Sequence, residues 1–184
     1  YSLFDALERA KCRAIPRISD DYPALLAEIY DPPATLYVRG DAALDGERMF
    51  AIVGSRRCTR DGMRAAREIA AHLAREGVAV VSGMARGADT CAHEGALDGH
   101  GRTVAVLGCG VDVAYPPENA GLAERILDAG GALVSEYPPG TPPNAGHFPA
   151  RNRIISGLCQ GTLLVEGAKG SGAMITVNFA LEQG

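Results

Sequence analysis

The sequence of 184 residues is 47% hydrophobic, which suffices for one substantial core, and its longest apolar runs are far shorter than the roughly 20 residues of a membrane span. A cytoplasmic location is expected because no secretory signal is visible, and the five scattered cysteines lack the paired spacing of a disulfide framework or zinc site. The formal net charge of −4 argues against an extended basic surface, so a contact with nucleic acid would require a local basic site.

Residues 1–48 are predicted to form an irregular N-terminal lead-in, in which only 35–39 has the pattern of an extended segment. From residue 49 onward, short apolar runs alternate with helical stretches, which is typical of β-α-β units that build a parallel sheet. Residues 49–184 are therefore predicted to be a Rossmann-like domain. Its C-terminus is predicted to be truncated, because the last apparent helix, 174–182, is followed by no strand.

Five apolar runs in this region have the length of strands, at 49–53, 78–81, 103–107, 132–134 and 162–165. Near-continuous Val, Ala, Ile and Leu content is what a strand needs when helices cover both faces of its sheet. Apolar residues at helical spacing indicate helices between the strands, and Gly77, Gly99 and either Gly130 or Gly131 are placed to end three of them. The predicted fold is therefore α/β, with a mostly parallel sheet and helices on both faces.

The first strand leads into Gly54-Ser-Arg-Arg57, which is followed by two plausible helix caps, Thr59 and Asp61. Ligands of an open α/β sheet bind beyond the carboxyl ends of the strands, where helix N-termini attract anions. Gly54 permits a tight turn, Ser55 offers a hydroxyl, and Arg56 presents a fork of donors suited to phosphate. Solvated arginines are also common after strands, so this loop alone leaves both interpretations open.

The second strand leads into Ser82-Gly-Met-Ala-Arg-Gly87, in which two glycines bracket Arg86. Backbone donors in such a loop can wrap an anion, while the competing interpretation is a turn that serves only close helix packing. Asp89 and His93 follow at a spacing known from metal-ligating pairs, but no third ligand joins them. We interpret them as a helix cap and a packing partner.

The next two strand ends carry different signals. Gly108-Cys-Gly110 begins like a dinucleotide fingerprint but has Val113 in place of the third glycine, which makes it weak evidence. Tyr115 could either pack or offer a stacking face to a base, and packing is favoured. A loop rich in Pro and Gly, 135–149, then delivers Arg151-Asn-Arg153 to the sheet edge beside the N-terminus of a helix.

The fifth strand leads through Lys169 and Ser171 into the final helix, along another glycine-rich approach. The Walker A order G-x-x-x-x-G-K-[ST] is absent, and no G-x-S-x-G elbow presents a nucleophile. The carboxylates of Glu136 and Glu166 follow different strands and do not form an evident pair. The chain is therefore predicted not to be an enzyme, and no cofactor or metal is expected.

In their order along the chain, these loops resemble those of the DprA/Smf family of DNA-processing proteins. The stretches that carry the resemblance are Val53-Gly-Ser-Arg56, Ser82-Gly-Met-Ala-Arg-Gly-Ala-Asp89, Val106-Leu-Gly-Cys-Gly110, Ser135-Glu-Tyr-Pro-Pro-Gly140, Phe148-Pro-Ala-Arg-Asn-Arg-Ile-Ile155 and Ser171-Gly-Ala-Met-Ile-Thr176. The resemblance implies an extended Rossmann-like fold, binding of single-stranded DNA and a homodimer. It also implies delivery of that DNA to the RecA recombinase during DNA uptake, natural transformation and recombination.

The resemblance further implies that phosphates lie at the arginine-bearing loops after strands one, two and four. The candidate DNA or phosphate contacts, taken from the resemblance and from turn chemistry, are Gly54, Ser55, Arg56, Arg57, Ser82, Gly83, Arg86, Gly87, Arg151, Asn152, Arg153, Lys169 and Ser171. Gly170 and Asn178 stand where members of the family commonly carry a basic residue. Positive charge is therefore reduced at the part of the site formed by the approach to the final helix.

Two other hypotheses remain open. A nucleotide-phosphate-binding enzyme or sensor of the Rossmann-like phosphoribohydrolase type would use similar strand ends, although its P-G-G-x-G-T-x-x-E motif is absent. A scaffold that docks partner proteins would leave the basic loops merely solvated.

Overall fold

Helices and strands alternate along most of the chain in a computed structural model, which describes residues 2–184. The helices are α1 (Leu3–Ala10), α2 (Ala24–Ala27), α3 (Arg60–Arg75), α4 (Ala88–Asp98), α5 (Ala120–Asp128), α6 (His147–Gly157) and α7 (Gly172–Gln183). The strands are β1 (Cys12–Pro16), β2 (Thr35–Gly40), β3 (Met49–Val53), β4 (Ala79–Ser82), β5 (Thr103–Val106), β6 (Ala132–Ser135) and β7 (Gly161–Leu164). Within residues 2–184, no helix combines the length and the apolarity required of a transmembrane segment.

The strands form one sheet in the order β1-β2-β6-β5-β4-β3-β7. Strands β3 to β7 pair in parallel among themselves, whereas β1 and β2 add two antiparallel pairings beside β6. The predicted α/β fold with a mostly parallel sheet is therefore confirmed. Strands β3 to β6 advance in one direction across the sheet, and β7 returns to the other side of β3. The crevice between β3 and β7 is thus the kind of switch point at which α/β sheets bind ligands.

Helices cover both faces of the sheet, as predicted. Successive residues of a strand point to opposite faces, so Val81 packs in a cluster with Ile154 of α6, whereas Val80 packs with Ala70 of α3. The return of the chain to β7 places α6 on the face opposite α3, in keeping with right-handed crossovers. Because both faces are buried, the central strands need apolar residues at nearly every position.

The first 48 residues are more regular than predicted. Strands β1 and β2 form a ladder in which Ile15 lies opposite Leu36. The sequence of β1 gives little sign of a strand, since Ile15 is its one buried residue and Pro16 ends it. An edge strand tolerates a proline, which would be excluded from the middle of a sheet. The extended segment predicted at 35–39 is confirmed as β2, whereas the interpretation of residues 12–16 as irregular was wrong. The division of the chain into domains stays a prediction.

Helix α6 begins at His147, well before the point that the sequence suggested. Pro149 falls in the first turn, where backbone N–H groups have no partner within the helix and proline costs little. The second turn therefore contains Arg151, Asn152 and Arg153, and all three are buried. The prediction that these residues flank a helix N-terminus was wrong.

Candidate nucleic-acid interface

A cavity of about 660 Å³ opens at the carboxyl ends of β3 and β4. It lies at the switch point, between the loop that follows β3 and the N-terminal residues of α7. The residues that line the cavity include Arg56, Arg57 and Phe148, and also Ser171 and Gly172 at the start of α7. The volume falls within the range of about 300–1,000 Å³ that small-molecule pockets occupy.

The loop after β3 is held by its backbone and presents its arginines to solvent. Gly54 is required here, because a Cβ would lie 2.6 Å from the Cβ of Ala88. The Ser55 N–H donates to the carbonyl oxygen of Glu166 at 2.7 Å, and the Ser55 hydroxyl accepts from the Arg57 N–H at 3.0 Å. The side chains of Arg56 and Arg57 are exposed, and neither enters an ion pair with residues 2–184. These two guanidiniums are therefore open to an anion.

The N-terminus of α3 already holds an anion supplied by the chain. Both the backbone N–H and the hydroxyl of Thr59 donate to the carboxylate of Glu166, the former at 2.9 Å. The Thr59 hydroxyl in turn accepts from the Gly62 N–H at 3.0 Å, which confirms Thr59 as the cap. These hydrogen bonds from Thr59 hold the pKa of Glu166 below its ordinary value. A phosphate at this cavity must accordingly rely on other donors.

Replacing Glu166 by glutamine is expected to lower the melting temperature at neutral pH by loosening this cap. Because the folded-state pKa of Glu166 is depressed, its contribution is present above the ordinary glutamate value of about 4.3 and is lost as the pH falls through the folded-state value. The difference in melting temperature between the wild type and Glu166→Gln should therefore shrink on acidification.

Thermal unfolding between pH 7 and pH 3 checks this expectation. Glu68→Gln, which removes an exposed carboxylate from the middle of α3, controls for the general loss of a negative charge. If the difference in melting temperature between the wild type and Glu166→Gln stays constant across this pH range, the stabilising role of the charged Glu166 carboxylate is contradicted.

The glycine-rich loop after β4 is likewise filled from within. The N–H groups of Gly83 and Ala85 donate to the carboxylate of Asp89 at 3.1 and 3.3 Å, while the buried Ser82 hydroxyl donates to the carbonyl oxygen of Ile52. Burial raises the pKa of Asp89, opposed by the nearby charge of Arg151. The expectation that this loop wraps an external anion with its backbone is therefore corrected, because the carboxylate of Asp89 occupies those donors.

Two residues of this region serve packing. Gly87 has a φ of +77°, and a Cβ there would overlap the carbonyl oxygen of Ser55, so glycine lets α4 approach the loop after β3. His93 is fully buried, with Nδ1 2.7 Å from the Thr103 hydroxyl, and burial lowers its pKa to about 3. The imidazole is therefore neutral, as suits the packing partner that was predicted. In the part of the chain that the structure describes, no group of three His, Cys, Asp or Glu residues could hold a metal ion.

Arg151 supports the floor of the cavity from inside the fold. Its side chain is 4% exposed, and Nη1 donates to the carbonyl oxygens of Gly83, at 2.7 Å, and of Val106. The guanidinium thus joins the ends of β4 and β5. Burial lowers the pKa of Arg151 to about 10, so it stays charged at neutral pH.

Arg153 lies away from the cavity. Its guanidinium donates to both carboxylate oxygens of Glu136, at 2.7 and 2.8 Å, and to the carbonyl oxygen of Asp31. Asn152 lines the cavity and donates to the carbonyl oxygen of Gly172, which fastens α6 to the start of α7. The three residues of the Arg151-Asn-Arg153 motif are therefore separated in space. Arg151 supports the cavity from beneath, Asn152 lines its wall, and Arg153 lies outside it.

Phe148 is a functional candidate that the sequence analysis missed. Its ring stacks on that of Tyr115 with centroids 5.1 Å apart, and the guanidiniums of Arg56 and Arg151 lie 6.0 and 5.8 Å from its centroid. Tyr115 packs as predicted, yet it remains 38% exposed. An aromatic residue in a Pro- and Gly-rich loop directly before basic residues was the available signal, because bases stack on such side chains.

The N-terminus of α7 differs from those of α3 and α4. Ser171 occupies the N-cap position without a side-chain capping hydrogen bond, its hydroxyl oxygen is buried without a partner among residues 2–184, and the first turn contains no acidic residue. Ser171, Gly172 and Ala173 all line the cavity. Unpaired N–H groups and the helix dipole make this end a suitable receptor for an anion. Lys169 is exposed and is not part of the cavity wall.

The chain is similar to proteins of one family along most of its length. The sequence model of the family described as DNA recombination-mediator protein A matches residues 13–184. Protein Smf of Escherichia coli K12 is 45% identical over 178 residues, which cover 97% of this chain and 48% of that protein. DNA processing protein DprA of Streptococcus pneumoniae R6 is 43% identical over 167 residues, covering 91% and 58%. The chain therefore spans about half the length of the relatives it matches.

Solved structures agree with this similarity. The X-ray structure of DprA from Streptococcus pneumoniae superposes with a TM-score of 0.88 at 40% identity, covering 98% of this chain and 64% of that one. The structure of DNA processing protein A from Helicobacter pylori, which concerns the single-stranded DNA binding mode of that protein, gives a TM-score of 0.80 at 29% identity and covers 95% and 79%. A molybdenum cofactor binding protein from Rippkaea orientalis, at 18% identity and a TM-score of 0.53, shares the fold alone.

Proposed function

Because this chain belongs to the DNA recombination-mediator protein A family, we propose that it binds single-stranded DNA at the cavity between β3 and β7. The observation that carries the proposal is that the exposed residues Arg56 and Arg57 line the same cavity as Phe148 and the uncapped start of α7, with the Arg56 guanidinium 6.0 Å from the centre of the Phe148 ring. The protein acts as a binder rather than an enzyme. It holds DNA in the cytoplasm during uptake and recombination and delivers it to RecA.

Phosphate and base are recognised by different walls of the cavity. A phosphate is held by the fork of Arg56 or Arg57 and by the N–H groups at Gly172 and Ala173, which together offer charge and directed donors. A base stacks on the exposed part of the Tyr115 and Phe148 pair. Stacking on aromatic rings is worth about 1–3 kcal/mol per base and tolerates any sequence. Binding is therefore governed by strand geometry and charge rather than by sequence.

The aromatic wall also favours single strands over a duplex. Both faces of a base inside a duplex are covered by its neighbours, so only an unstacked base can lie against Phe148 and Tyr115. We therefore expect duplex DNA of the same length to bind more weakly.

The groups that line the cavity favour DNA binding over the alternative of a nucleotide-phosphate-binding enzyme. A hydrolase would need a general acid or base within reach of the substrate. Among the described residues that line the cavity, Asp89 is the one carboxylate, and its oxygens accept hydrogen bonds from the Gly83 and Ala85 amides. Release of base from nucleoside monophosphates well above the uncatalysed rate would favour the alternative.

Fluorescence anisotropy with a labelled oligothymidylate of 20 nucleotides tests the proposed function. We expect binding at low salt, with log affinity falling against log salt at a slope of about −0.7 per phosphate contact, and weaker binding of the matching duplex. Absence of binding at low salt would contradict the proposal. The proposals of RecA delivery and of a homodimer rest on family membership. A RecA loading assay tests the first, and sedimentation tests the second.

A further inference from the structure

An acidic residue stands against one of the arginines at the edge of the proposed DNA site. Arg86 Nε donates to the Glu118 carboxylate, and the two side chains are 60% and 49% exposed. Arg86 also lines a small recess next to the main cavity, together with Arg56, Tyr115 and Phe148. The ion pair is therefore adjacent to the surface on which phosphates and bases are proposed to lie.

The position of Glu118 is fixed by the fold. It is the middle residue of the 3-10 turn Pro117–Asn119. The buried side chain of Asn119 donates to the carbonyl oxygen of Met84 at 2.9 Å and to the Thr90 hydroxyl at 3.0 Å. These bonds attach the turn to the loop that carries Arg86, so the carboxylate is held where the guanidinium can reach it.

The Arg86 side of the pair is equally constrained. The N–H of Ala85 donates to the Asp89 carboxylate, and Gly87 packs its backbone against the carbonyl oxygen of Ser55. The loop that carries Arg86 and the turn that carries Glu118 are thus both anchored by hydrogen bonds or close packing. The fold therefore holds the two side chains near each other. The hydrogen bond from Arg86 keeps the pKa of Glu118 below its ordinary value, so the carboxylate is charged at neutral pH.

A carboxylate and a phosphate use the same edge of a guanidinium, because both present two oxygens to its fork of donors. A phosphate can bind the Nε edge of Arg86 only by displacing the Glu118 carboxylate, which accepts the hydrogen bond from that nitrogen. Exposed ion pairs contribute little to stability, because water and salt screen both charges. The carboxylate is therefore a weak competitor that lowers affinity without blocking the site.

We propose that Glu118 sets the affinity of the site by occupying Arg86 in the absence of DNA, so that Arg86 contributes only when a phosphate replaces the carboxylate. This inference rests on the proposed function. In this role Glu118 weakens DNA binding, whereas a residue that positions Arg86 for DNA would strengthen it. Removing its charge should improve binding rather than impair it.

A double-mutant cycle on the full chain tests the inference with the same labelled 20-nucleotide oligothymidylate. Glu118→Gln is expected to tighten binding by about two- to fivefold, because the phosphate no longer has to displace a carboxylate from Arg86. Arg86→Gln should weaken binding, and the double variant should match Arg86→Gln. Glu124→Gln, which removes the exposed carboxylate paired with Arg39, makes the same change in net charge and should have a smaller effect.

The outcomes separate the inference from the function on which it rests. If the wild type binds and Glu118→Gln binds equally or more weakly, the inference is overturned while the proposed function stands. A gain that persists in the Arg86→Gln background, or that Glu124→Gln reproduces, overturns it as well. If the folded wild type does not bind at low salt, the proposed function fails and the inference fails with it.

Discussion

Replacing Arg56 and Arg57 together by glutamine is expected to weaken binding of single-stranded DNA by at least about a hundredfold at low salt. Hydrogen bonds to charged groups contribute about 1.5–3 kcal/mol each, and about 1.4 kcal/mol corresponds to a factor of ten in affinity. Both guanidiniums line the cavity and are exposed, and they form no ion pair within residues 2–184 that would offset the loss. The fold should be unaffected, because the loop is held by its backbone.

Anisotropy titrations at several salt concentrations measure this effect. The salt slope should become shallower by about 1.4, since two phosphate contacts at about 0.7 each are lost. Arg75→Gln is the control for the loss of one positive charge, because Arg75 is an exposed arginine at the C-terminal end of α3, about 20 Å along the helix from the site. A free-energy loss in Arg75→Gln about half that of the double variant, in proportion to the charges removed, would show that net charge, rather than this loop, determines binding.

Replacing Arg151 by methionine is expected to lower the free energy of unfolding by about 3–5 kcal/mol, as is typical when one partner of a buried charge network is removed. The carbonyl oxygens of Gly83 and Val106 would lose their charged donor, and the buried carboxylate of Asp89 would lose a nearby positive charge. The ends of β4 and β5 would no longer be joined beneath the cavity. DNA binding should fall as a consequence of the damaged fold.

Urea unfolding followed by circular dichroism measures the change in stability. Arg151→Lys, which retains the charge without the fork of donors, should lie between the wild type and Arg151→Met. Arg64→Met is the control, because Arg64 is largely exposed on α3 and forms only a surface pair with Asp61. An Arg151→Met variant as stable as Arg64→Met would show that the buried network is not structural.

The central part of the fold could be predicted because its signals are local. Each of the five parallel strands is a short apolar run between helical stretches, and the observed bounds differ from the predicted ones by about one residue. Strand β1 lacked such a signal, since it lies at the sheet edge with one buried residue, Ile15. Edge strands need not follow the apolar pattern of a strand buried on both faces.

The candidate site was predictable in place but not in detail. The sequence locates the glycine-rich loops at the strand ends, yet it cannot tell that the carboxylates of Asp89 and Glu166 fill two of the expected anion positions. Glu166 lies 107 residues from Thr59 along the chain. Such pairing depends on the sheet order, which periodicity alone does not determine.

The arginines show the same limit. Arg56 and Arg151 look equally suited to phosphate in the sequence, but one is exposed and the other is buried against carbonyl oxygens 68 and 45 residues away. Arg153 is drawn to Glu136, the acid that follows β6. Whether a guanidinium supports the fold or binds a ligand was decided by tertiary contacts.

Amide chemical-shift mapping by NMR tests the central claim most directly, because it reports where the DNA lies. On addition of a short oligothymidylate, we predict the largest shifts at Ser55, Arg56 and Arg57, at Gly172 and Ala173, and at Phe148. The ladder between β1 and β2, at the far edge of the sheet, should remain unchanged. Binding that shifts the β1 edge and leaves the loop after β3 and the start of α7 unchanged would contradict the account.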